Sequence, residues 1–545
     1  MGRALAVALA LSICACAQTD LLRSDAGSDT DTASPATGDL LWAAAIEFGM
    51  ASDIVALPDG DLIAVGTNGD GAAFFGAASG EIAVDPAGVF LARYTSFGEI
   101  AAVESPILGR GLTAHAVRAA GGALFLSGAF NDAATFGPGS AGEVVFLPQG
   151  DDGYAARLDG EGVLAWVARV SGSGYDSAID VGALTGGGAA AVGTFGFVSP
   201  GEEEPGTATV ADGYGDETPL VSAGGGDAFA ARFGPGGELT WIAAAGGAGF
   251  DLAYAVAGRP DGSIAIAGEY GNNGNLSEGN QCTEPGEPAV FGVGAEAIAL
   301  APAGATDGFV ASYSADGALL WARDIGGPCM DWIRDVVTLE DGSVVAIGVI
   351  GGPALFGAGE ANETEIDCGE LETCDDIQRV FLAAFDASGD LEWVRTSDFC
   401  TDDHFEDYAI DIRADQLAVG PDGALAIAGG YQGACSLGPG EPGETQLPYS
   451  NIAFDPLLAA FAPDGALAWV ATGAGPCDDV ALASAFAEGG SLISAGVYSA
   501  GWSYMGHPCS GALALGAGEA FETTLPGPPW PAVGQRGFVA LFAGK

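Results

Sequence analysis

The chain has 545 residues, with 72 acidic against 16 basic side chains and a formal net charge of −56. Binding to nucleic-acid phosphates needs clustered Lys and Arg, so this composition excludes a nucleic-acid partner. It predicts a highly soluble acidic surface instead. No stretch beyond the first fifteen residues is apolar and long enough for a transmembrane helix.

The N-terminus reads as an export signal over residues 1–15, because Arg3 precedes the short apolar run Ala4–Ile13. Its end, Ile13-Cys14-Ala15-Cys16, resembles a bacterial lipobox. That resemblance implies a lipid on Cys16 and, since residue 17 is Ala rather than Asp, a place at the outer membrane or cell surface. Membrane contact is then expected only through the lipid. An ordinary cleaved signal without a lipid is the alternative.

Residues 16–37 are polar, acidic and rich in Ser and Thr. Such a segment cannot bury enough apolar surface to fold, so we expect a disordered tether.

One sequence unit then recurs through the rest of the chain and is clearest at Asp307–Trp321, DGFVASYSADGALLW. The other full copies end at Trp166, Trp241, Trp393 and Trp469, and a worn copy without Trp covers Val89–Ile100. The seventh copy is divided between Gly537–Phe542 and Gly38–Trp42. A unit split between the two ends of a chain requires those ends to meet, which indicates a closed ring.

Successive Trp residues lie 75, 80, 72 and 76 positions apart, with short β-like runs and Gly turns between them. This period is typical of propeller blades. We therefore predict an all-β, seven-bladed β-propeller over residues 38–545, with four strands per blade and the last blade completed by the N-terminal strand. In the fifth blade the strands are predicted at 333–339, 343–349, 380–385 and 390–395.

The stretch Asp307–Gly348 also resembles the bacterial β-propeller repeat family abbreviated SBBP, through its D-x-F-V-A strand, D-G-x-L-x-W strand and following D-G turn. The resemblance extends over all seven copies. It implies the fold and says almost nothing about chemistry.

The order of strands in a blade separates two kinds of loop. Turns between first and second strands and between third and fourth strands lie on one face, the plain face, and are short. Loops between second and third strands and connections between blades lie on the other, the built-up face. The long insertions all belong to the built-up face, approximately at residues 67–88, 129–152, 195–226, 269–306, 349–378, 430–453 and 497–535. Insertions gathered on one face usually mark the binding side.

Eight cysteines remain beyond Cys16, all in loops of the built-up face. An even number in an exported chain predicts disulfides. The most natural pairs are Cys282–Cys329, Cys368–Cys374, Cys400–Cys435 and Cys477–Cys509. Metal ligation is a weaker alternative, because the chain has no C-x-x-C motif and only three histidines.

Acidic residues suggest two kinds of cation site. Aspartates at the start of the blades are expected around the channel mouth, either as a cation-attracting collar or as acceptors of backbone N–H groups. They are Asp53, Asp176, Asp251, Asp331, Asp407 and Asp479. Denser acidic runs on the built-up face supply carboxylates for calcium, although neither follows the EF-hand pattern. The candidate calcium ligands are Asp375, Asp376, Asp402, Asp403 and Asp407.

The seventh insertion holds the aromatic residues Trp502, Tyr504 and Trp530, which could bind a sugar or protein partner or fill the loop's own core. Catalytic motifs are lacking, since His115, His404 and His507 belong to different repeats.

The sequence therefore favours a non-catalytic surface propeller that binds an envelope protein or glycan, with no certain cofactor. The alternative is an exported glycan hydrolase or lyase that uses carboxylates at the channel mouth.

Overall fold

A computed structural model describes most of the ring. The described residues are 40–47, 49–68, 73–75, 82–84, 87–172, 174–197, 206–272, 285–367, 378–398, 400, 412–500, 512–515, 523–525 and 534–543.

Seven antiparallel blades, each with four main strands, form the propeller predicted from the sequence. Strands are numbered β1–β42 along the chain. The innermost strands are β2 Met50–Ala56, β8 Leu112–Ala120, β14 Tyr175–Ala183, β20 Phe250–Gly258, β26 Asp331–Thr338, β32 Ile412–Val419 and β38 Asp479–Phe486. The second strands are β3 Leu62–Thr67, β9 Ala123–Phe130, β15 Ala189–Phe197, β21 Ile264–Asn272, β27 Val344–Ile350, β33 Leu425–Gly433 and β39 Leu492–Ala500.

The third strands are β6 Gly88–Tyr94, β12 Asp152–Leu158, β18 Asp227–Phe233, β24 Asp307–Tyr313, β30 Arg379–Phe385, β36 Ser450–Phe461 and β42 Gly534–Phe542. The outermost are β7 Ile100–Leu108, β13 Leu164–Gly172, β19 Leu239–Gly247, β25 Leu319–Ile325, β31 Leu391–Thr396, β37 Leu467–Ala474 and β1 Leu40–Glu47. Two short 3₁₀ turns cover Gly294–Glu296 and Glu488–Gly490. The fifth-blade strands agree with the predicted ones to within about two residues.

The ring closes through the two ends of the chain. Strand β1 pairs antiparallel with β42, with Trp42 opposite Leu541 and Ile46 opposite Gly537. The N-terminal strand is thus the outer strand of blade seven, which confirms the interpretation of the divided repeat.

A feature not predicted from the sequence is a small hairpin within each of the seven insertions. The hairpins are β4 Ala73–Phe75 with β5 Ile82–Val84, β10 Ala134–Phe136 with β11 Val144–Phe146, β16 Thr207–Ala211 with β17 Glu217–Val221, β22 Ala289–Phe291 with β23 Ile298–Leu300, β28 Ala354–Phe356 with β29 Thr364–Ile366, β34 Ser436–Leu437 with β35 Thr445–Gln446, and β40 Leu513–Leu515 with β41 Thr523–Leu525.

Each hairpin lies against the outer strand of the preceding blade. Five of them extend that blade into a six-stranded sheet, and the other two join by single bridges, Gly326–Leu355 and Ser397–Leu437. The described parts of the insertions therefore lead to the perimeter of the ring and cover the outer blade edges that would otherwise be unpaired.

The repeated Trp side chains bind neighbouring blades together on the plain face. The indole Nε1 of Trp42 donates to the carbonyl of Ser96 at 3.2 Å, that of Trp241 to Ala315 at 3.1 Å, and that of Trp321 to Ala387 at 3.2 Å. Each acceptor belongs to the third-to-fourth turn of the next blade. These contacts show that the three Trp residues pack between blades.

The core is divided among the blade interfaces, where facing Val, Ile, Ala and Phe side chains are buried. None of the described segments forms a helix whose length and hydropathy would let it cross a bilayer.

Candidate functional site: the axial channel

The innermost strands line the channel, and each has a β-bulge at the same place. A bulge changes the direction in which the following side chain points. The residues directly after the bulges are Asp53, Ala116, Asp180, Ala255, Asp335, Gln416 and Ala483. Four of the seven repeats thus have a polar residue where the other three have Ala, so the repeat is broken at one level of the channel.

Each of these four polar side chains links its own blade to the next one. Asp53 Oδ2 accepts a hydrogen bond from the backbone N–H of Val117 at 2.7 Å, and Asp180 Oδ2 accepts one from Val256 at 2.8 Å. Asp335 and Gln416 accept equivalent bonds from Leu417 and Ser484. Bonds from a buried N–H to a carboxylate are among the stronger ones, so this level fixes the relative position of neighbouring blades.

Arg118 completes this level from the second blade. Its guanidinium donates to Asp53 Oδ2 at 2.5 Å and to Asp180 Oδ1 at 3.0 Å, so it joins blades one, two and three. We call Asp53, Arg118, Asp180, Asp335 and Gln416 the waist of the channel.

The waist holds three carboxylates and one guanidinium. Burial raises the pKa of Asp335 to about 7, and the charge of Asp180 adds to the rise while Arg118 opposes it. Burial also raises the pKa of Asp180. For Arg118, burial disfavours the charged form, but the three aspartates outweigh that effect and raise its pKa.

A second group of polar and aromatic side chains lies nearer the built-up face, because inner strands run from that face to the plain face. We call it the upper cluster, and it consists of Tyr254, Glu269, Trp332, Arg334 and Asp415. All five side chains are only partly buried. Tyr254, Arg334 and Asp415 are the bulge residues of blades four, five and six.

The guanidinium of Arg334 is the centre of the upper cluster. It lies 4.4 Å from the ring centroid of Tyr254 and 5.6 Å from that of Trp332. Burial opposes its charge, but Tyr254, Glu269 and Asp415 outweigh burial and raise its pKa. None of the described carboxylates forms an ion pair with it. Its donors are therefore able to take a ligand's acceptor.

Glu269 supplies the acceptor side of the cluster. The hydroxyl of Tyr254 donates to its Oε1 at 3.2 Å. Burial raises the pKa of Glu269, and Arg334 and the Tyr254 hydroxyl offset part of that rise. Aromatic faces, a guanidinium and carboxylates in one cluster can bind a ligand with hydroxyl or anionic groups and an apolar face.

The predicted collar of aspartates takes a different form. Asp176, Asp251, Asp331 and Asp479 do occupy equivalent places and are almost completely buried. Asp251 accepts from the backbone N–H groups of Gly247 and Gly271, at 2.8 and 2.9 Å. Asp331 does the same with Gly327 and Gly351, at 2.7 and 2.9 Å. These two residues fix the junctions between blades and are not an exposed collar.

The predicted equivalence of Asp53 with that set is wrong. It directly follows the bulge, as Asp180 and Asp335 do, four residues further along its strand than Asp176 in blade three. With Asp53 aligned to the blade starts, the sequence does not show that Asp53, Asp180 and Asp335 occupy equivalent positions.

Several predicted residues lie outside the described part of the chain. They are the lipidation candidate Cys16, the calcium candidates Asp375, Asp376, Asp402, Asp403 and Asp407, the aromatic candidates Trp502, Tyr504 and Trp530, and the cysteines Cys282, Cys368, Cys374 and Cys509. Within the described residues, no three His, Cys, Asp or Glu side chains are grouped so as to hold a metal ion.

One predicted disulfide, Cys400–Cys435, is present, with its Cα atoms 4.2 Å apart. Cys329 and Cys477 are also disulfide-bonded, to partners outside the described residues. Cys400 and Cys435 join the connection before blade six to the insertion of that blade. Cys329 lies just before Trp332 of the upper cluster, so two of the disulfides stabilise loops close to blades five and six.

His115 is the one described histidine, and it serves a structural contact. Its Nδ1 is 3.1 Å from the carbonyl of Ala178 in the next blade, and burial lowers its pKa. The partner of its Nδ1 is a backbone carbonyl and not a catalytic side chain.

Comparison with known proteins assigns the chain to no family. No family model and no curated protein matches the chain. Among solved structures, the phage phi92 endosialidase is similar at 8% identity and a TM-score of 0.33, over 92% of this chain and 69% of that one. The extracellular domain of a hybrid two-component system from B. thetaiotaomicron is similar at 9% identity and a TM-score of 0.14, over 76% of each chain.

Proposed function

We propose that the chain is an exported, lipid-anchored and non-catalytic binding propeller of the cell envelope, related to the SBBP repeat proteins. It holds an envelope protein or glycan at the built-up end of its channel. The lipid on Cys16 keeps it at the outer membrane or cell surface, and the tether 16–37 lets the ring reach its ligand.

The observation that carries this proposal is the upper cluster. The bulge position of three consecutive blades is occupied by Tyr254, Arg334 and Asp415. In the other four blades the same position holds Ser52, His115, Ile179 and Leu482. A repeat varies freely at solvated positions, but a largely desolvated guanidinium close to two aromatic rings is costly unless a ligand uses it.

A saccharide suits the cluster better than a flat protein surface does. The cluster lies on neighbouring blades along the channel. Arg334 offers donors to hydroxyl groups, and Glu269 and Asp415 offer acceptors, although Asp415 is also paired with Arg413. Trp332 and Tyr254 offer apolar ring faces.

The test is binding of the soluble ring to a glycan array and to envelope extracts, with Arg334→Ala as the site variant. Arg93→Ala is the matched control, since Arg93 lies on the plain face in a surface pair with Asp59 and Asp61. We expect Arg334→Ala to lose about tenfold or more in affinity and Arg93→Ala to lose nothing. Equal losses, or none, would refute the assignment of this site.

A second candidate is glycan hydrolysis or elimination, and one observation favours it. Glu269 has a raised pKa beside the bound hydroxyl of Tyr254 and near Arg334, an arrangement in which a carboxyl can act as general acid. Glu269→Gln separates the two functions. Product release by the wild type that this variant abolishes, with binding retained, would establish the enzyme.

A further inference from the structure

The opposite end of the channel contains a cavity that the proposed function does not use. It has a volume of about 340 Å³ and lies between the waist and the plain face, where the inner strands end. All seven inner strands contribute to its wall. Pockets for small ligands span roughly 300–1,000 Å³, so this cavity suits a small molecule.

The cavity has an apolar wall and a polar floor. Val256, Val337, Leu417 and Phe486 are among the wall residues. The polar residues are Arg118, Asp335 and Gln416 of the waist, together with Ser484 and Thr338. The hydroxyl of Thr338 donates to the carbonyl of Gly258 at 2.7 Å. A ligand must therefore be mostly apolar with one polar end.

The charged residues of the floor determine whether the ligand's polar end should be positive or negative. Arg118 is occupied by Asp53 and Asp180, whereas Asp335 has no ion pair with any described residue. Its two oxygens accept only the backbone N–H groups of Val336 and Leu417, each at 2.7 Å. Each carboxylate oxygen can accept a second bond, so Asp335 can still receive a donor from the cavity.

The waist as a whole holds three carboxylates against one guanidinium and is net negative when they are ionised. Of these groups only Arg118 and Asp335 line the cavity, and Arg118 is already paired with Asp53 and Asp180. A buried carboxylate without a cation is unfavourable, and an entering cation relieves that cost, while an anion would increase it. A hydrated metal ion gains nothing from the apolar wall. An ammonium group on a short apolar stem satisfies both parts of the cavity at once.

We propose that the plain-face end of the channel binds a small organic cation, an ammonium compound whose charge meets Asp335 and whose apolar stem packs against Val256, Val337 and Leu417. This site is independent of the ligand at the built-up face.

Calorimetry on the full chain with benzylammonium chloride tests the proposal, with benzyl alcohol and sodium benzoate as neutral and anionic probes of the same shape. We expect one site for benzylammonium, binding about tenfold or more weaker for the alcohol, and none for benzoate. Asp335→Asn should weaken benzylammonium binding by a similar factor. Asp422→Asn, which removes an exposed charge of a first-to-second turn on the same face, should leave it unchanged.

Ala257→Trp fills the cavity from its apolar wall while Asp335 is retained, and it should abolish binding of benzylammonium. If Asp335→Asn fails to fold, this variant still tests whether benzylammonium binds in the cavity. Equal affinity for the amine and the alcohol would overturn the cation assignment. Absence of any binding, or binding that survives Ala257→Trp, would overturn the site.

Discussion

Gln416 Nε2 donates a hydrogen bond to Asp53 Oδ1 at 2.7 Å, although blade seven lies between their two blades. The bond is possible because blade seven has only Ala483 at the level of the waist, so its small side chain leaves room for the longer Gln416. The same side chain accepts the N–H of Ser484 from the blade it passes. Gln416 thereby links blade six to blade one past blade seven, which the two chain ends form jointly.

Removing the waist's cation tests whether this level stabilises the ring. Arg118→Ala leaves Asp53 and Asp180 buried without their partner, and we expect a loss of about 3–5 kcal/mol in the free energy of unfolding. Arg93→Ala removes an exposed pair and should cost less than about 1 kcal/mol. Urea unfolding of both variants measures the difference, and equal losses would show that the waist is not a stabilising element.

Closure of the ring through β1 predicts a large effect from a small deletion. Deleting residues 39–44 removes most of the outer strand of blade seven and exposes an edge, so both the melting temperature and the solubility should fall. Deleting residues 28–33, which precede the ring, is the control of equal length. Unchanged melting after the first deletion would contradict the observed closure.

The buried junction aspartates predict that the ring loses stability as the pH rises. Burial is the main cause that raises the pKa of Asp176 and Asp227 to about 6, and that of Asp251 and Asp331 to about 7. A carboxyl whose pKa is raised by folding stabilises the fold while protonated. That contribution is complete below about pH 4 and is lost as the pH passes 6 to 7.

The urea midpoint should therefore be higher at pH 5 than at pH 8, and Asp251→Asn should reduce the difference by an amount worth about 1 kcal/mol or more. Repeating the series in high salt separates buried groups from repulsion among the surface charges, since salt screens only the latter well. A pH dependence that salt abolishes would point to the surface.

Reduction of the disulfides should loosen the built-up face more than the blades. Replacing Cys400 and Cys435 together by Ser is expected to cost about 2–4 kcal/mol, because the bridge closes a long loop. Mass spectrometry of the exported ring without reductant should show no free thiol among its eight cysteines. Several free thiols would mean that the compartment or the pairing is wrong.

The repeat pattern predicted the blade number, the order of strands and the closure because each depends on burial at a fixed period. The hairpins were missed although they have a signal of their own. Phe136, Phe291 and Phe356 each precede Gly-x-Gly, and Leu437 and Leu515 do so in two other insertions. The hairpin turn needs glycine at these positions because its backbone has positive φ angles, 61° at Gly357 and 79° at Gly359.

The channel was harder to predict, because it depends on register. A bulge shifts the side chains by one position, so Asp53 and Asp180 match only when the strands are aligned at the bulge. Arg334 and Tyr254 also cannot be recognised as site residues from the sequence, since each occupies a position that varies from repeat to repeat. Only the ring brings them within 4.4 Å of each other.

The central claim is that the ligand binds at the built-up end of the channel, and site-specific photo-crosslinking tests it most directly. A photoreactive residue in place of Trp332 reports on the upper cluster, and one in place of Phe97, which is 70% exposed on the plain face, reports on the opposite side. We predict a crosslink to one envelope component from position 332 that Arg334→Ala abolishes, and none from position 97. A crosslink from position 97 alone, or one from position 332 that survives Arg334→Ala, would contradict the claim.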